Sequence, residues 1–311
     1  MSMIRLFALP ALTAAALVST ASAQLGYAVS GNLGGIDLLS FNAANPGGAT
    51  TVGALSGLLS GHQIRAVDFR PSNGLLYGVS TSSASPTTAQ LYTINLTTAA
   101  CTPVGGTFTV AGNNGFRLSM DFNPVADVLR VTAGFNGSLD TGSYRVNPDT
   151  GALIARDSNI ESAAGDPHFG QSFFVGDIAY SNNFVGATQT TLYSWEYLDD
   201  LLATIGGVNG SPSPNGGEAF TVFTPAAGRS GLAIIGLDIA PSGVAYASHD
   251  GPGLPNGRTG FFTLDLSTGA ETSLGLFPAG VQIMDFAMVT PTPGTGAALG
   301  LGGLIALRRR R

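Results

Sequence analysis

The chain has 311 residues, 44% of them hydrophobic and only 10% charged, with 44 Gly and 17 Pro. So few charges argue against long surface helices, whose polar faces need Glu, Lys and Arg, and regular apolar segments argue against disorder. All 13 basic residues are Arg, and the formal net charge is −6.

Residues 1–23 read as a secretory signal peptide. Arg5 supplies the positive start, residues 6–18 form an apolar core too short to span a bilayer, and small residues lead to a cleavage point between Ala23 and Gln24. Residues 24–289 then form the domain.

The domain opens on three strands, at residues 25–29, 36–41 and 49–53, with a turn at 42–48. The complete repeat follows: IRAVDFRPSNGLLYGVS from Ile64, a polar spacer, then LYTINLTTAACTPVGG from Leu91. A second copy has Asp121-Phe122-Asn123-Pro124 in place of Asp68-Phe69-Arg70-Pro71, and Tyr144-Arg145-Val146-Asn147 in place of Tyr92-Thr93-Ile94-Asn95. A looser copy surrounds Asp177 and carries a Gly-, Pro- and Ser-rich insertion over 208–218. The last full copy surrounds Asp238, and a lone leading strand, 281–289, carries Asp285.

The five aspartates are 53, 56, 61 and 47 residues apart. Several strands per repeat at roughly this period signal β-propeller blades. The lone C-terminal strand and the three-stranded N-terminus complement each other, which predicts an all-β, five-bladed propeller closed by pairing N-terminal strands with the last one. Six blades result if the 61-residue interval hides another, with 219–223 as a strand; an open sandwich is the third option.

Turns follow an Asx-to-Gly pattern, as in Asn147-Pro148-Asp149-Thr150-Gly151 and Asp265-Leu266-Ser267-Thr268-Gly269. Gly supplies the positive φ of a type I turn with a bulge. Asp149 and Asp265 therefore read as hairpin chemistry, since the dense Asp/Asn alternation of a calcium loop is missing.

Strand alternation sends Asp68, Asp121, Asp177, Asp238 and Asp285 to the face opposite their apolar neighbours. On innermost strands they form a ring. It serves either structure, by accepting backbone N–H groups of a neighbouring blade, or binding, as an acidic channel. Because the Asp repeats with the fold, structure is the reading favoured.

His62, His168 and His249 lack the close spacing of zinc ligands, and no hydrolase, metalloprotease or nucleotide motif is present. No catalytic residue is assigned and no cofactor expected, a channel cation such as calcium being the exception that the ring would permit. Tyr193, Trp195 and Tyr197 alternate on one strand face with Thr191, fitting inter-blade packing better than a sugar platform. Cys101, the single cysteine, sits in an apolar strand and is expected to be buried.

The other end is as distinctive. Thr290-Pro291-Thr292-Pro293-Gly294 leads into an apolar run over 295–307 and four terminal arginines. Thirteen residues of helix span about 20 Å against a core of about 30 Å, so this short transmembrane helix suits a temporary stop with arginines held inside. Residues 290–311 resemble PEP-CTERM sorting signals, in a variant with Pro291, Thr292, Pro293 and Gly294 at the motif. The resemblance implies an exosortase-like membrane protease as partner, transient anchoring, and a final place in the cell envelope or outside the cell. Loss of both ends leaves 8 basic against 19 acidic residues, a net charge of about −11. Such a domain repels phosphate backbones, which excludes nucleic acid as a partner.

The pattern LDFRP…GLLYG…LYTIN…TG…VG, with Phe184-Val185-Gly186-Ala187 and the closing Asp285-Phe286-Ala287, resembles the exported family of domain of unknown function 4394. The resemblance implies a secreted propeller-like fold and brings no catalytic residues. The expected role is a non-catalytic, exported binding module of the envelope or extracellular matrix, with a polysaccharide or envelope protein as ligand. The alternative is a secreted hydrolase or lyase acting on polysaccharide in the channel.

Overall fold

A computed structural model describes residues 24–32, 35–82, 87–110, 118–134, 141–171, 173–224, 234–250, 254–255 and 258–290. The expected signal peptide and the sorting motif from Pro291 onward lie outside the described residues, as does the apolar C-terminal run. No described helix is long and apolar enough to cross a membrane.

Short alternating segments joined by tight turns can bury one another only as small antiparallel sheets, and five such sheets form a ring. The chain begins with β1 (Leu25–Asn32), β2 (Gly35–Asn42) and β3 (Asn45–Ala54). Blade II is β4 (His62–Phe69), β5 (Leu76–Ser82), β6 (Thr88–Ile94) and β7 (Cys101–Thr109). Blade III is β8 (Leu118–Asn123), β9 (Val128–Ala133), β10 (Gly142–Val146) and β11 (Leu153–Arg156). Blade IV contains β12 (Glu161–Ser162), β13 (Val175–Tyr180), β14 (Leu192–Glu196), β15 (Leu202–Ile205) and β16 (Glu218–Phe223). Blade V is β17 (Ile234–Ile239), β18 (Ala245–His249), β19 (Gly260–Leu264) and β20 (Glu271–Leu276). Finally β21 (Gln282–Met288) pairs antiparallel with β1, so the sheet order β21-β1-β2-β3 makes blade I from both ends of the domain. The innermost strands β4, β8, β13, β17 and β21 neighbour one another in a closed cycle.

Five blades result, not six. Residues 219–223 belong to β16, the fourth strand of blade IV, so the 61-residue interval hides no further blade. Part of that interval is the 208–218 insertion, which folds into two short 3-10 turns, Val208–Gly210 and Pro214–Gly216. Unanticipated from the repeat pattern, β12 adds a fifth strand, parallel to β16, at the outer edge of blade IV.

The turns follow the expected chemistry with one substitution of roles. Oδ1 of Asn95, Asn147 and Asp265 each accepts the N–H groups two and three residues ahead. Gly151 and Gly269 take φ of 67° and 64° as the pattern requires, whereas Ala99 adopts 57° at the same position of blade II. Asp149 serves a different end from Asp265: its carboxylate pairs with Arg70 of blade II at 2.5 Å. Arg70 also bridges to Asp127 at 2.6 Å, so one buried guanidinium ties two turns of blade III to blade II.

Four of the five junctions between blades are filled by apolar clusters drawn from both sides. Blades II and III share Tyr77, Leu91, Phe122 and Val131; blades I and V share Phe41, Phe261, Phe277 and Phe286. Blades I and II share Val29, Leu38, Ile64 and Phe69, with Cys101 buried beside them. Blades IV and V share Trp195, Leu202, Leu237 and Ala247, with Tyr193 packed against them. Trp195 is therefore buried packing between blades, and Tyr197 sits tilted against Phe174 at 5.8 Å.

Closure depends on β21, and Phe286 is its main anchor: it is 1% exposed and edge-on to Phe261 at 5.1 Å. Replacing Phe286 with Ala should cost about 3–5 kcal/mol through lost transfer energy and a cavity. Chemical denaturation of the purified chain would register this as a lower midpoint with an unchanged slope.

Candidate functional site: the aspartate hub and a polar inter-blade pocket

Each of the five aspartates lies on the innermost strand of its blade, and all are buried, between 1% and 4% exposed. They form a cycle of hydrogen bonds. Oδ2 of Asp68 accepts the Phe122 N–H at 2.9 Å, and Asp121 accepts from the Tyr180 backbone. Asp177 accepts from Leu237 N–H at 2.6 Å, Asp238 from Met288 N–H at 2.5 Å, and Asp285 from Val67 N–H at 2.7 Å. Every blade thus bonds to the next, and the fifth returns to the first. The other oxygen of Asp68, Asp177 and Asp285 accepts the N–H of the following residue, Phe69, Ile178 and Phe286.

The point of attachment follows the β-bulges. In β4 and β17 an extra residue, Arg65 or Ile235, comes three before the Asp, and the strand offers the N–H just before it, Val67 or Leu237. In β13 and β21 the bulge residue, Gly176 or Met284, immediately precedes the Asp. These strands offer the N–H three residues after it, Tyr180 or Met288. Strand β8 pairs without a bulge and offers Phe122, one residue after its Asp. All these offsets are odd, because N–H groups alternate sides along a strand and only every second one faces a given neighbour.

Burial and mutual repulsion dominate the electrostatics. Burial pushes the carboxyls of Asp68, Asp121 and Asp285 well above the usual carboxylate range, and neighbouring ring aspartates push them further. Asp238 is raised to about 6, by burial against the lowering effect of its backbone donors. Oxygens of Asp68, Asp121 and Asp238 all lie within 4.8 Å of one another. Oδ1 of Asp121 and Oδ1 of Asp238 are buried without a hydrogen bond of normal geometry.

The three histidines do not converge with these carboxylates or with each other into a metal-ligating group among the described residues. Nδ1 of His62 meets Ser80 at 2.9 Å, His168 meets Thr221 at 3.0 Å, and His249 stacks on Phe262 at 4.3 Å.

A second feature lies where blade III meets blade IV, the junction without a shared apolar cluster among the described residues. Arg130 fills it. By register it stands opposite Asp121, where blades II, IV and V put Tyr77 opposite Asp68, Trp195 opposite Asp177 and Tyr246 opposite Asp238, and blade I puts Val29 opposite Asp285. Nε of the buried guanidinium donates to the Tyr180 hydroxyl at 2.9 Å, Nη1 to Ser143 at 2.5 Å and Asp157 at 3.0 Å, and Nη2 to Asn215 at 2.6 Å. Burial alone would lower its pKa, but Tyr180 and Asp157 outweigh that and hold it raised. Arg145, about one-third exposed, shares the same carboxylate at 2.9 Å.

Above this network opens a pocket of about 260 Å³, lined by polar residues including Asn123, Arg130, Arg145, Tyr180, Gln189, Asn209 and Asn215 and by apolar Val125, Ala126, Val128, Leu192 and Pro214, with no acidic residue in its wall. Two guanidiniums share one carboxylate, so the pocket is locally cationic in an acidic domain. Sequence reading passed over Arg130. The available signal was a repeat alignment of LLYGV with VLRVT, which shows an Arg where an aromatic residue belongs.

The hub has a pH consequence. Where a carboxyl has its folded pKa raised, the folded state retains protons that the unfolded chain has lost, so stability falls as pH rises through that window. For Asp238 the window runs from about 4 to about 6, and Asp68, Asp121 and Asp285, also raised, act in the same direction. In a chelating buffer the melting temperature should be higher at pH 5 than at pH 7.5. Asp238→Asn should flatten that slope in a calorimetric or circular-dichroism melt.

Comparison with known proteins bears on the fold. No curated protein matches the chain. Among solved structures, it is similar to TolB from Acinetobacter baumannii, at 16% identity, TM-score 0.45, and 81% and 53% coverage of the two chains. It is also similar to a GH43 glycoside hydrolase engineered for endo-xylanase and exo-arabinofuranosidase activity, at 13% identity and TM-score 0.53, covering 86% and 53%. The periplasmic gluconolactonase of Pseudomonas aeruginosa matches at 12% identity and TM-score 0.43, covering 86% and 100%. The chain spans about half the length of the first two. At 13% identity the likeness to the GH43 enzyme shows the fold alone. The sequence profile of DUF4394, a domain of unknown function, matches residues 37–287, and the chain belongs to that family.

Proposed function

We propose that this protein is an exported, non-catalytic β-propeller that acts as a binding module of the cell envelope or extracellular matrix. We place its ligand site in the pocket between blades III and IV. The observation that carries this reading is the exception at Arg130: four junctions are filled by apolar clusters from both blades, and at the fifth, which has no such cluster among the described residues, a pocket opens over a buried guanidinium that makes four hydrogen bonds.

The pocket's volume, about 260 Å³, is just below the roughly 300–1,000 Å³ of drug-sized sites and suits one small polar unit. Its amides, Asn123, Gln189, Asn209 and Asn215, suit hydroxyl groups, and the Arg130–Arg145 pair suits an acidic substituent. An acidic sugar residue of an extracellular polysaccharide combines both. The apolar side chain of Val125, 46% exposed, offers the wall a contact for a sugar face.

Acid–base catalysis at the hub would require carboxylates that a substrate can reach, and these are at most 4% exposed. Most of their oxygens already accept a backbone N–H. Export through residues 1–23, and handling of the tail at Pro291, Thr292, Pro293 and Gly294 by an exosortase-like membrane protease, complete the proposal. The composition of both ends supports them.

Titration calorimetry with acidic and neutral oligosaccharides tests the ligand. Acidic oligosaccharides should bind and neutral ones should not. Arg145→Ala, which leaves the Arg130 network in place, should weaken binding at least tenfold. Equal binding of neutral sugars, or no loss in the variant, would remove the pocket from the proposal. Turnover of any polysaccharide, abolished by changing a hub aspartate, would overturn the non-catalytic role.

A further inference from the structure

We propose that the centre of the ring binds one divalent cation of calcium size, held by the carboxylates of Asp68, Asp121 and Asp238. These residues come from blades II, III and V, and each offers an oxygen within 4.8 Å of the others. Two oxygens each about 2.4 Å from one ion are at most about 4.8 Å apart, so the spacing suits Ca²⁺, which takes oxygen ligands at about 2.3–2.6 Å. Mg²⁺ demands near-ideal octahedral geometry and dehydrates reluctantly, so a buried cage of carboxylates suits it less than Ca²⁺.

The second observation is independent of the spacing. Oδ1 of Asp121 is buried without any hydrogen-bond partner, whereas Asp238 also meets the backbone of Ile239. An unpartnered buried carboxylate oxygen is costly, and the fold has a donor for almost every other oxygen of the ring. The basic side chain opposite Asp121 does not meet the need. Arg130 donates to Tyr180, Ser143, Asp157 and Asn215, and none of these bonds reaches Asp121.

The backbone bonds of the hub would act as the supporting shell. Asp68 is oriented by Phe69 and Phe122, and Asp238 by Met288. A carboxylate oxygen has two lone pairs, so one that accepts an N–H can still ligate an ion. The Asp177 carboxylate acts on both Asp68 and Asp121. A cation there offsets the repulsion among the ring carboxylates and joins three blades at one point. The role is structural, and affinity in the range of extracellular modules, about 10⁻⁴–10⁻³ M or tighter, would serve it.

The test uses the full chain, stripped with a chelator and titrated with CaCl₂ and separately with MgCl₂. We expect one equivalent of calcium by calorimetry and elemental analysis. Saturating calcium should raise the melting temperature by roughly 5 °C, with a much smaller effect of magnesium. Asp121→Asn should weaken calcium binding at least tenfold, and Asp265→Asn, in an exposed turn, should leave it unchanged. No stoichiometric calcium uptake by the wild-type chain, or an equal shift in Asp121→Asn and Asp238→Asn, would overturn the site. Should the hub variants fail to fold, the wild-type stoichiometry and melting shift decide the matter. The outcome is independent of the inter-blade pocket, whose ligand binding is read with Arg145→Ala.

Discussion

The rest of the ring depends on a carboxylate that accepts a backbone N–H from the next blade. Innermost propeller strands run side by side, yet they are not a sheet, so their hub-facing N–H groups have no ladder to join. Buried N–H groups must be satisfied, and an Asp on each innermost strand does this across the blade boundary. The same bond that removes an unsatisfied donor also fixes the distance between neighbouring strands. Five of them in a cycle leave no blade without a partner on either side. The antiparallel pairing of β1 with β21 then secures the two ends of the domain in a single sheet.

This solution brings a cost of its own. Donors from the backbone favour the charged form of each Asp, while burial and like-charged neighbours oppose it. A five-membered ring brings these carboxylates close together, and proton uptake or a bound cation relieves the repulsion. The bulges decide how close they come. They shift each strand's attachment point by an even number of residues, which preserves the side that faces the hub while moving the Asp along the strand.

The polar junction shows what a single departure from the repeat can do. Tyr77, Trp195 and Tyr246 stand opposite their aspartates as large apolar bodies. An Arg at that register needs partners for its charge and its donors, and it recruits them from blade III through Asp157 and Ser143 and from blade IV through Tyr180 and Asn215. Asn215 belongs to the blade IV insertion, whose length therefore has a local purpose. The Arg130 network adds hydrogen bonds across this junction, and a pocket opens above it.

By itself the sequence determined the repeat, the closure and the hairpins and favoured five blades, while the structure removed the sixth by placing 219–223 in β16. Strand alternation, turn residues and the spacing of the aspartates are local properties that survive in any correct fold. The same periodicity put Asp68 and its four equivalents on one strand face, and the structure decided that their strands are the innermost ones. Only the tertiary structure decided which N–H each carboxylate meets, because that depends on bulges at Arg65, Gly176, Ile235 and Met284 that no residue type announces. It alone brought Asp157 and Asn215 to Arg130, from 27 and 85 residues away, and β12 to the edge of blade IV. Periodicity fixes which face a side chain takes, whereas the partners it meets there depend on how the blades are staggered around the ring.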